Sequence, residues 1–357
     1  MNSTLSSALA ASFPPGGQTA SECTVPTPPP ANRWADWDAF VESNPASGFM
    51  QTSWWADFRS TCGFENFGVT FKNGGEILGG AVVLKFFPTD DSCFYYIPHG
   101  PVLPADSELA EAVFHATLEA IDEHRQAESC LVTHLRIEPR WTQLPAFVTD
   151  FRPVAPFADP YLEPRDTRVI DLRPSEDAIL AQMKPKGRYN IHLAQRHGVS
   201  IVEDISPQGL ADFISLHDET AARQGMEAKP EDYFQALVSL LLPNRRVSIF
   251  FAEYQGLRLA AALVIYFGRT AIYFFGGSRD LHREVMAPYV LHFEIMRKAK
   301  SLGHEFYDLW GIAPPNDPDH PWANISTFKA KFGGSEVHYV PTLDLIYDDA
   351  TYTALRL

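Results

Sequence analysis

Residues 253–314 read EYQGLRLAAALVIYFGRTAIYFFGGSRDLHREVMAPYVLHFEIMRKAKSLGHEFYDLWGIAP. Two β-rich runs, LRLAAALVIYF (257–267) and TAIYFFGGS (270–278), flank the polar break Gly268-Arg269, and such a pair predicts a hairpin. In APYVLHFEIMRKAKSLG (287–303), Val290, Leu291, Ile295 and Ala299 recur at helical spacing with Glu294 outward, so a helix follows. EFYDLWGIAP (305–314) reads as a further strand. About 175 to 180 residues upstream the same order appears as NGGEILGGAVVLKFF (73–87), CFYYIPHGPV (93–102), the helical SELAEAVFHATLEAIDEHRQAES (107–129) and CLVTHLRIEP (130–139). A repeat of this kind predicts an α/β chain (α+β mixed) of two mixed sheets, each flanked by helices and related by internal duplication.

Working outward, TRVIDLRPSEDAILAQM (167–183), VSIVED (199–204) and the helix GLADFISLHDETAARQG (209–225) precede the second copy. The boundary between the halves is placed near Pro164, giving domains at 32–164 and 165–336. The last segment, VHYVPTLDLIYD (337–348), lies beyond the second copy and is a candidate strand for return to the first domain. Residues 1–31 are dominated by Ser, Ala, Pro, Gly and Thr, bury too little to offset ordering entropy, and are expected to form a disordered tail. Order is expected from Trp34, where NRWADWDAFVESNP (32–45) reads as a short helix.

The 357 residues suit about two domains of roughly 150 residues each. Lys and Arg total 29 against 44 Asp and Glu, a formal charge of −15, which excludes a protein that coats nucleic acid or an anionic membrane through its overall charge. Any polyanionic substrate must be met by a local basic patch. The four cysteines show no metal spacing and fit a reducing compartment. MNSTLSSALAASFPPGG lacks Lys and Arg, and no run approaches the roughly 18 apolar residues of a membrane span. A soluble, cytoplasmic protein without stable membrane insertion is expected.

The window MKPKGRYNIHLAQRHG (183–198) holds Lys184, Lys186, Arg188 and Arg196 and no acid. At a helix start these side chains can meet phosphate, although the same pattern also suits a solvated basic face. In NDPDHPWANISTFKAKFGG (316–334), Lys329 and Lys331 alternate with Phe328 and Phe332. If this is a strand, the two lysines share one face and the two phenylalanines the other. A lysine held near a cleft stabilises a developing oxyanion, whereas a surface lysine beside core Phe needs no function. Glu138 at a strand end is a candidate acid or base, or surface decoration. Asp308 in an apolar strand is expected to satisfy backbone donors. Asp317, Asp319 and His320 are interrupted by prolines and are not read as a metal site. No nucleophile elbow, P-loop or dinucleotide fingerprint is present. The glycine pairs in GGAVV and FFGGS read as turns or bulges.

Taken in order, FMQTSWWADFR (49–59), YYIPHGPV (95–102), LRIEP (135–139), TRVIDLRPSEDAILAQMKPKGRYNIHLAQRHGV (167–199), APYVLHFEIMRKAKSLG (287–303), YDLWGI (307–312) and STFKAKFGG (326–334) resemble the FemABX family of aminoacyl-tRNA-dependent peptidoglycan aminoacyltransferases. In size the chain is similar to the FemX type, which adds a single residue. The resemblance implies two GNAT-like domains and transfer of an amino acid from aminoacyl-tRNA to the side-chain amine of a peptidoglycan precursor, UDP-linked or lipid-linked. It implies no cofactor beyond the aminoacyl-tRNA co-substrate. The family's essential lysine falls on Lys329, beside Phe328. Its diphosphate-binding lysine falls on Arg59, its precursor-binding Arg and Tyr on Lys229 and Tyr233, and its strand-end acid on Glu138. Arg188 lies in the matched basic segment and is carried as a substrate-binding candidate. Two departures stand out: His99 replaces an arginine, and Asn324 replaces a glycine, for which a left-handed turn is expected. An acyl-CoA-dependent N-acyltransferase and a non-catalytic precursor-binding protein are the alternatives. The first lacks its pyrophosphate loop here, and the second is disfavoured by the presence of both Phe328 and Lys329.

Overall fold

The computed structural model describes residues 34–154, 163–315 and 317–355, and the tail expected over 1–31 lies outside the described residues. The chain divides between Arg165 and Asp166 into two compact units, and the segment from His338 onward belongs with the first.

The first unit runs α1 (Ala35–Ser43), α2 (Ser53–Thr61), β1 (Asn66–Asn73), β2 (Glu76–Thr89), β3 (Ser92–Pro98), α3 (Ser107–Gln126), β4 (Leu131–Glu138) and β5 (Arg152–Pro153). Thr52 and Asp106 cap α2 and α3 by accepting from the backbone N–H of Trp55 and Leu109, which satisfies donors a helix start otherwise leaves orphaned. Ala110, Val113, Phe114 and Ile121 of α3 then bury against Ala81, Val83, Tyr95 and Ile97 of the sheet.

The second unit runs β6 (Asp166–Asp171), α4 (Glu176–Gln182), α5 (Pro185–His197), β7 (Ser200–Glu203), α6 (Pro207–Gln224), α7 (Glu231–Leu241), β8 (Val247–Tyr254), β9 (Leu257–Phe267), β10 (Thr270–Ser278), α8 (Ala287–Ser301), β11 (Phe306–Gly311), α9 (Ala323–Lys329) and β12 (Ser335–His338). Val290, Leu291, Ile295 and Ala299 of α8 are buried, as their spacing requires. The chain then returns to the first unit as β13 (Leu343–Ile346) and α10 (Asp349–Ala354).

The sheets are ordered β1-β2-β3-β4-β13-β5 and β12-β6-β11-β10-β9-β8-β7. In each, three antiparallel strands are followed by a helix and a parallel return strand: β1, β2, β3, α3, β4 in one and β8, β9, β10, α8, β11 in the other. This is the duplicated mixed α/β architecture that the repeat predicts.

One difference between the copies positions the site. β3 and β4 stay paired from Ser92–Leu131 to Pro98–Glu138. β10 and β11 pair only from Thr270–Phe306 to Ile272–Asp308 and then part. Just past that point β10 bulges against β9, between Tyr273 and Phe275, and bulges bend a strand away from its neighbour. Gly277 on β10 lets α6 approach, since a Cβ there would lie 2.4 Å from the Leu216 carbonyl oxygen.

Three local expectations are corrected. Residues 337–348 are not one strand: β12 joins the second sheet and β13 the first. The Lys329 segment is no strand either, because α9 and a 3-10 turn (Ala330–Phe332) occupy it. Asn324 lies in the first turn of α9 and is absent from the residues with positive φ. Cys93 and Cys130 are free thiols. Among the described residues no helix is long and apolar enough to cross a membrane.

Candidate active site

Lys329 ends α9 and is only 5% exposed. Its Nζ donates to the Gly311 carbonyl at 2.5 Å and lies 5.8 Å from the centre of the Tyr273 ring. Gly311 and Tyr273 sit beyond the last paired residues of β11 and β10, so the ammonium group occupies the opening where the strands separate. An ammonium has three N–H donors, and the Gly311 carbonyl takes one.

Burial lowers the Lys329 pKa to about 7, and the opposing influence is the charge of Asp308. Asp308 is itself fixed: its Oδ1 accepts from the Thr167 hydroxyl and, at 2.8 Å, from the Trp310 N–H. Next to the lysine, His292 is buried and shares a hydrogen bond of 2.9 Å with the Tyr307 hydroxyl. Burial first, and the Lys329 charge second, bring His292 down to about 3, so it stays a neutral imidazole. Burial pushes Tyr273 up to about 12. The rings of Phe328 and Phe332 lie 5.6 and 5.0 Å from His292 and close the apolar side. Ser326 ties α9 to the exit of β11, accepting from Ala313 N–H at 2.7 Å and donating to the Trp322 carbonyl at 2.7 Å. Lys331 turns elsewhere and donates to the Tyr289 hydroxyl at 3.0 Å. A helical turn points side chains two residues apart in different directions, so the shared lysine face of a strand does not form.

In the first unit, Glu138 ends β4 and accepts from the Tyr96 hydroxyl at 2.5 Å and the Thr342 hydroxyl at 2.9 Å. It lines a pocket with His99, Arg140, Arg165 and Tyr339. Arg140 donates to the Tyr339 hydroxyl at 2.5 Å and stacks 4.6 Å from that ring. Arg59, near the end of α2, is buried with its guanidinium 4.1 Å from the centre of the Phe64 ring. Burial raises Tyr96 well above its ordinary range, the charges of Glu138 and Glu163 add to this, and Arg59 opposes it. Arg59 and Glu138 thus act on one buried tyrosine. His99 is buried with φ 55°, and burial plus the Arg140 charge hold it far below the usual histidine range.

Lys229 precedes α7 and sits 5.8 Å from the Tyr233 ring. Tyr233 packs edge-on at 5.9 Å against Phe275 of β10, which puts this pair in the same unit as Lys329. Arg188 is used differently from its phosphate-binding expectation. Its Nη1 donates to the carbonyls of Ala181, at 3.2 Å, and Met183, binding the end of α4 to α5. Among the described residues no group of three or more His, Cys, Asp or Glu is arranged to hold a metal.

The sequence reading missed Tyr96, Thr342, Arg140, Tyr273 and His292. Tyr96, Tyr273 and His292 lie at unremarkable strand or helix positions and Arg140 and Thr342 just outside strands, and only the bulge after Tyr273, foreshadowed by FFGG, carries a local signal.

Comparison with known proteins places the chain in a family. The FemAB family model matches residues 33–145, 142–254 and 246–357. The chain is 25% identical to the UDP-N-acetylmuramoylpentapeptide-lysine N(6)-alanyltransferase of Weissella viridescens, over 89% of this chain and 95% of that one. It is 20% identical to the lipid II:glycine glycyltransferase of Staphylococcus saprophyticus, over 89% and 93%. The crystal structure of FemX superposes with a TM-score of 0.80 at 18% identity, covering 90% of this chain and 97% of that chain, and shows the same fold.

Proposed function

Because the chain belongs to the FemAB family, we propose that it transfers an amino acid from aminoacyl-tRNA to the side-chain amine of a peptidoglycan precursor stem peptide, a step of cross-bridge formation. Relatives named as alanyl- and glycyltransferases of such precursors support the acceptor class. The observation that carries the mechanism is the buried Lys329 ammonium in the opening between β10 and β11.

The acceptor amine, as the free base, attacks the ester carbonyl. A C–N bond forms, and the carbonyl oxygen becomes an oxyanion. The N–H donors of Lys329 not used by Gly311 stabilise that charge in a site from which water is excluded, an effect worth a few kcal/mol. The C–O bond to the ribose then breaks, and the departing hydroxyl takes the proton released by the attacking nitrogen. This substrate-assisted route needs no protein base, so positioning and oxyanion stabilisation are the protein's contribution. Asp308 favours the charged form of Lys329 against the larger effect of burial, and neutral His292 adds no competing positive charge.

Arg59, Lys229 and Tyr233 are assigned to the precursor, with Arg59 on its phosphates, where a planar guanidinium suits the oxygens. Glu138, held by two hydroxyls within the first unit, is a further candidate for contact with the acceptor. A cytoplasmic location, where aminoacyl-tRNA is available, belongs to the same proposal.

The test is transfer by the purified chain from alanyl- and glycyl-tRNA to UDP-linked and lipid-linked lysine-containing precursors, followed by mass spectrometry. A product heavier by one residue is expected, and Lys329→Met should lower kcat by at least about a hundredfold. Absence of product with every donor and acceptor pair, or full activity of Lys329→Met, overturns the reading.

A further inference from the structure

The protein carries a charge of −15, yet α5 presents Lys184, Lys186, Arg188 and Arg196 with no acidic residue in the helix. Its buried side is Gly187, Asn190, Ile191 and Ala194. The opposite side exposes Lys186, Tyr189, His192, Arg196 and His197. Arg188, His192 and Arg196 recur every four residues and so share one stripe. Tyr189 is 58% exposed and lies beneath Arg196, 5.9 Å from its guanidinium carbon.

On the neighbouring helix α8, Arg297 pairs with Glu176 and Glu294 and Lys298 with Glu203, while Lys300 donates to the carbonyls of Leu172 and Arg173. Among the described residues, Lys184, Lys186 and Arg196 have no ion-pair partner. Glu284, whose carboxylate feels the His197 side chain, is already paired with His282. An unneutralised cationic stripe on an acidic protein is a local polyanion site.

The start of α5 also adjoins the catalytic segment. Lys184 N–H donates to the Lys331 carbonyl at 3.1 Å, and a Cβ on Gly187 would lie 2.3 Å from that oxygen. Only glycine allows this approach, and Lys331 is two residues from Lys329. The start of α5, a helix about 20 Å long, is thus tied to the backbone of the segment that carries Lys329.

On the reading that the donor is aminoacyl-tRNA, we propose that the exposed face of α5 is the docking surface for the phosphate backbone of the tRNA acceptor end. Lys186 and Arg196 contact phosphates, and Tyr189 offers its ring to a base or ribose. An anionic membrane is the less suited partner, because an interfacial helix needs an apolar face and α5 exposes one large apolar ring.

The experiment measures binding of uncharged tRNA to the full chain across a salt series, independently of catalysis. Lys186→Glu/Arg196→Glu and the milder Lys186→Gln/Arg196→Gln should each raise Kd at least about tenfold, and the glutamine pair should flatten the log K against log salt slope by about one per cation removed. In transfer assays KM for aminoacyl-tRNA should rise, while the rate with a short donor, the 3′-alanyl ester of adenosine, stays unchanged. Unchanged tRNA binding, or an equal loss with the short donor, overturns the proposal. So does loss of binding to phosphatidylglycerol vesicles with tRNA affinity intact, which assigns the face to membrane. If tRNA binds through α5 but no transfer occurs, the surface stands and the proposed reaction fails.

Discussion

Lys329 places an ammonium group in a core where burial opposes its charge, and the cost is visible in a pKa of about 7 against an ordinary 10.5. Below pH 7 the lysine is protonated both folded and unfolded, and the full penalty is present. Between 7 and 10.5 folding requires proton loss, so the penalty shrinks as pH rises. Lys329→Met should therefore be more stable than the parent by up to a few kcal/mol near pH 6, with the gap closing toward pH 10. Urea melts across pH check this, and a gap independent of pH would contradict the buried charge. Asp308→Asn removes the group that supports the cation. The descending alkaline limb of its kcat profile should move to lower pH, while the fold, judged by circular dichroism, is retained. The segment by itself leaves Lys329 open between a lysine near a cleft and a surface residue beside core Phe. Its burial was not legible because the alternation of Phe328, Lys329, Lys331 and Phe332 suits a strand as well as a helix followed by a 3-10 turn.

Among the elements, α8 and the β9–β10 hairpin were legible because their periodicity is long and unbroken. α9 was not, since seven residues carry too little periodic signal to outweigh the β-branched Ile325 and Thr327. Tertiary contacts decide it: Ser326 binds both its own helix and the loop after β11. Ser326→Ala leaves the Ala313 N–H without that acceptor and should cost about 1–3 kcal/mol. It should also lower kcat more than it raises KM, because it loosens the element that aims Lys329. Thermal melts and steady-state kinetics separate the two effects, and an unchanged kcat would remove α9 from the positioning role.

At the scale of the whole chain, the return of the C-terminal segment to the first sheet depends on a buried ion pair. Arg136 makes two bonds of 2.9 Å to Asp344, to which Tyr352 also donates at 2.8 Å. Asp344→Ala strands a buried guanidinium and should cost about 3–5 kcal/mol, whereas Arg136→Met with Asp344→Leu should cost far less. Equal losses in chemical denaturation would contradict this. By itself the sequence determined the duplicated order of hairpin, helix and strand, and the concentration of cations in α5. Periodicity and local charge are properties of neighbours in the chain. Only the tertiary structure decided that β10 and β11 part while β3 and β4 stay paired, that Lys329 fills the opening, and that Tyr96 and Thr342 hold Glu138. Those outcomes depend on burial and on residues up to 204 positions apart, which no window of sequence contains.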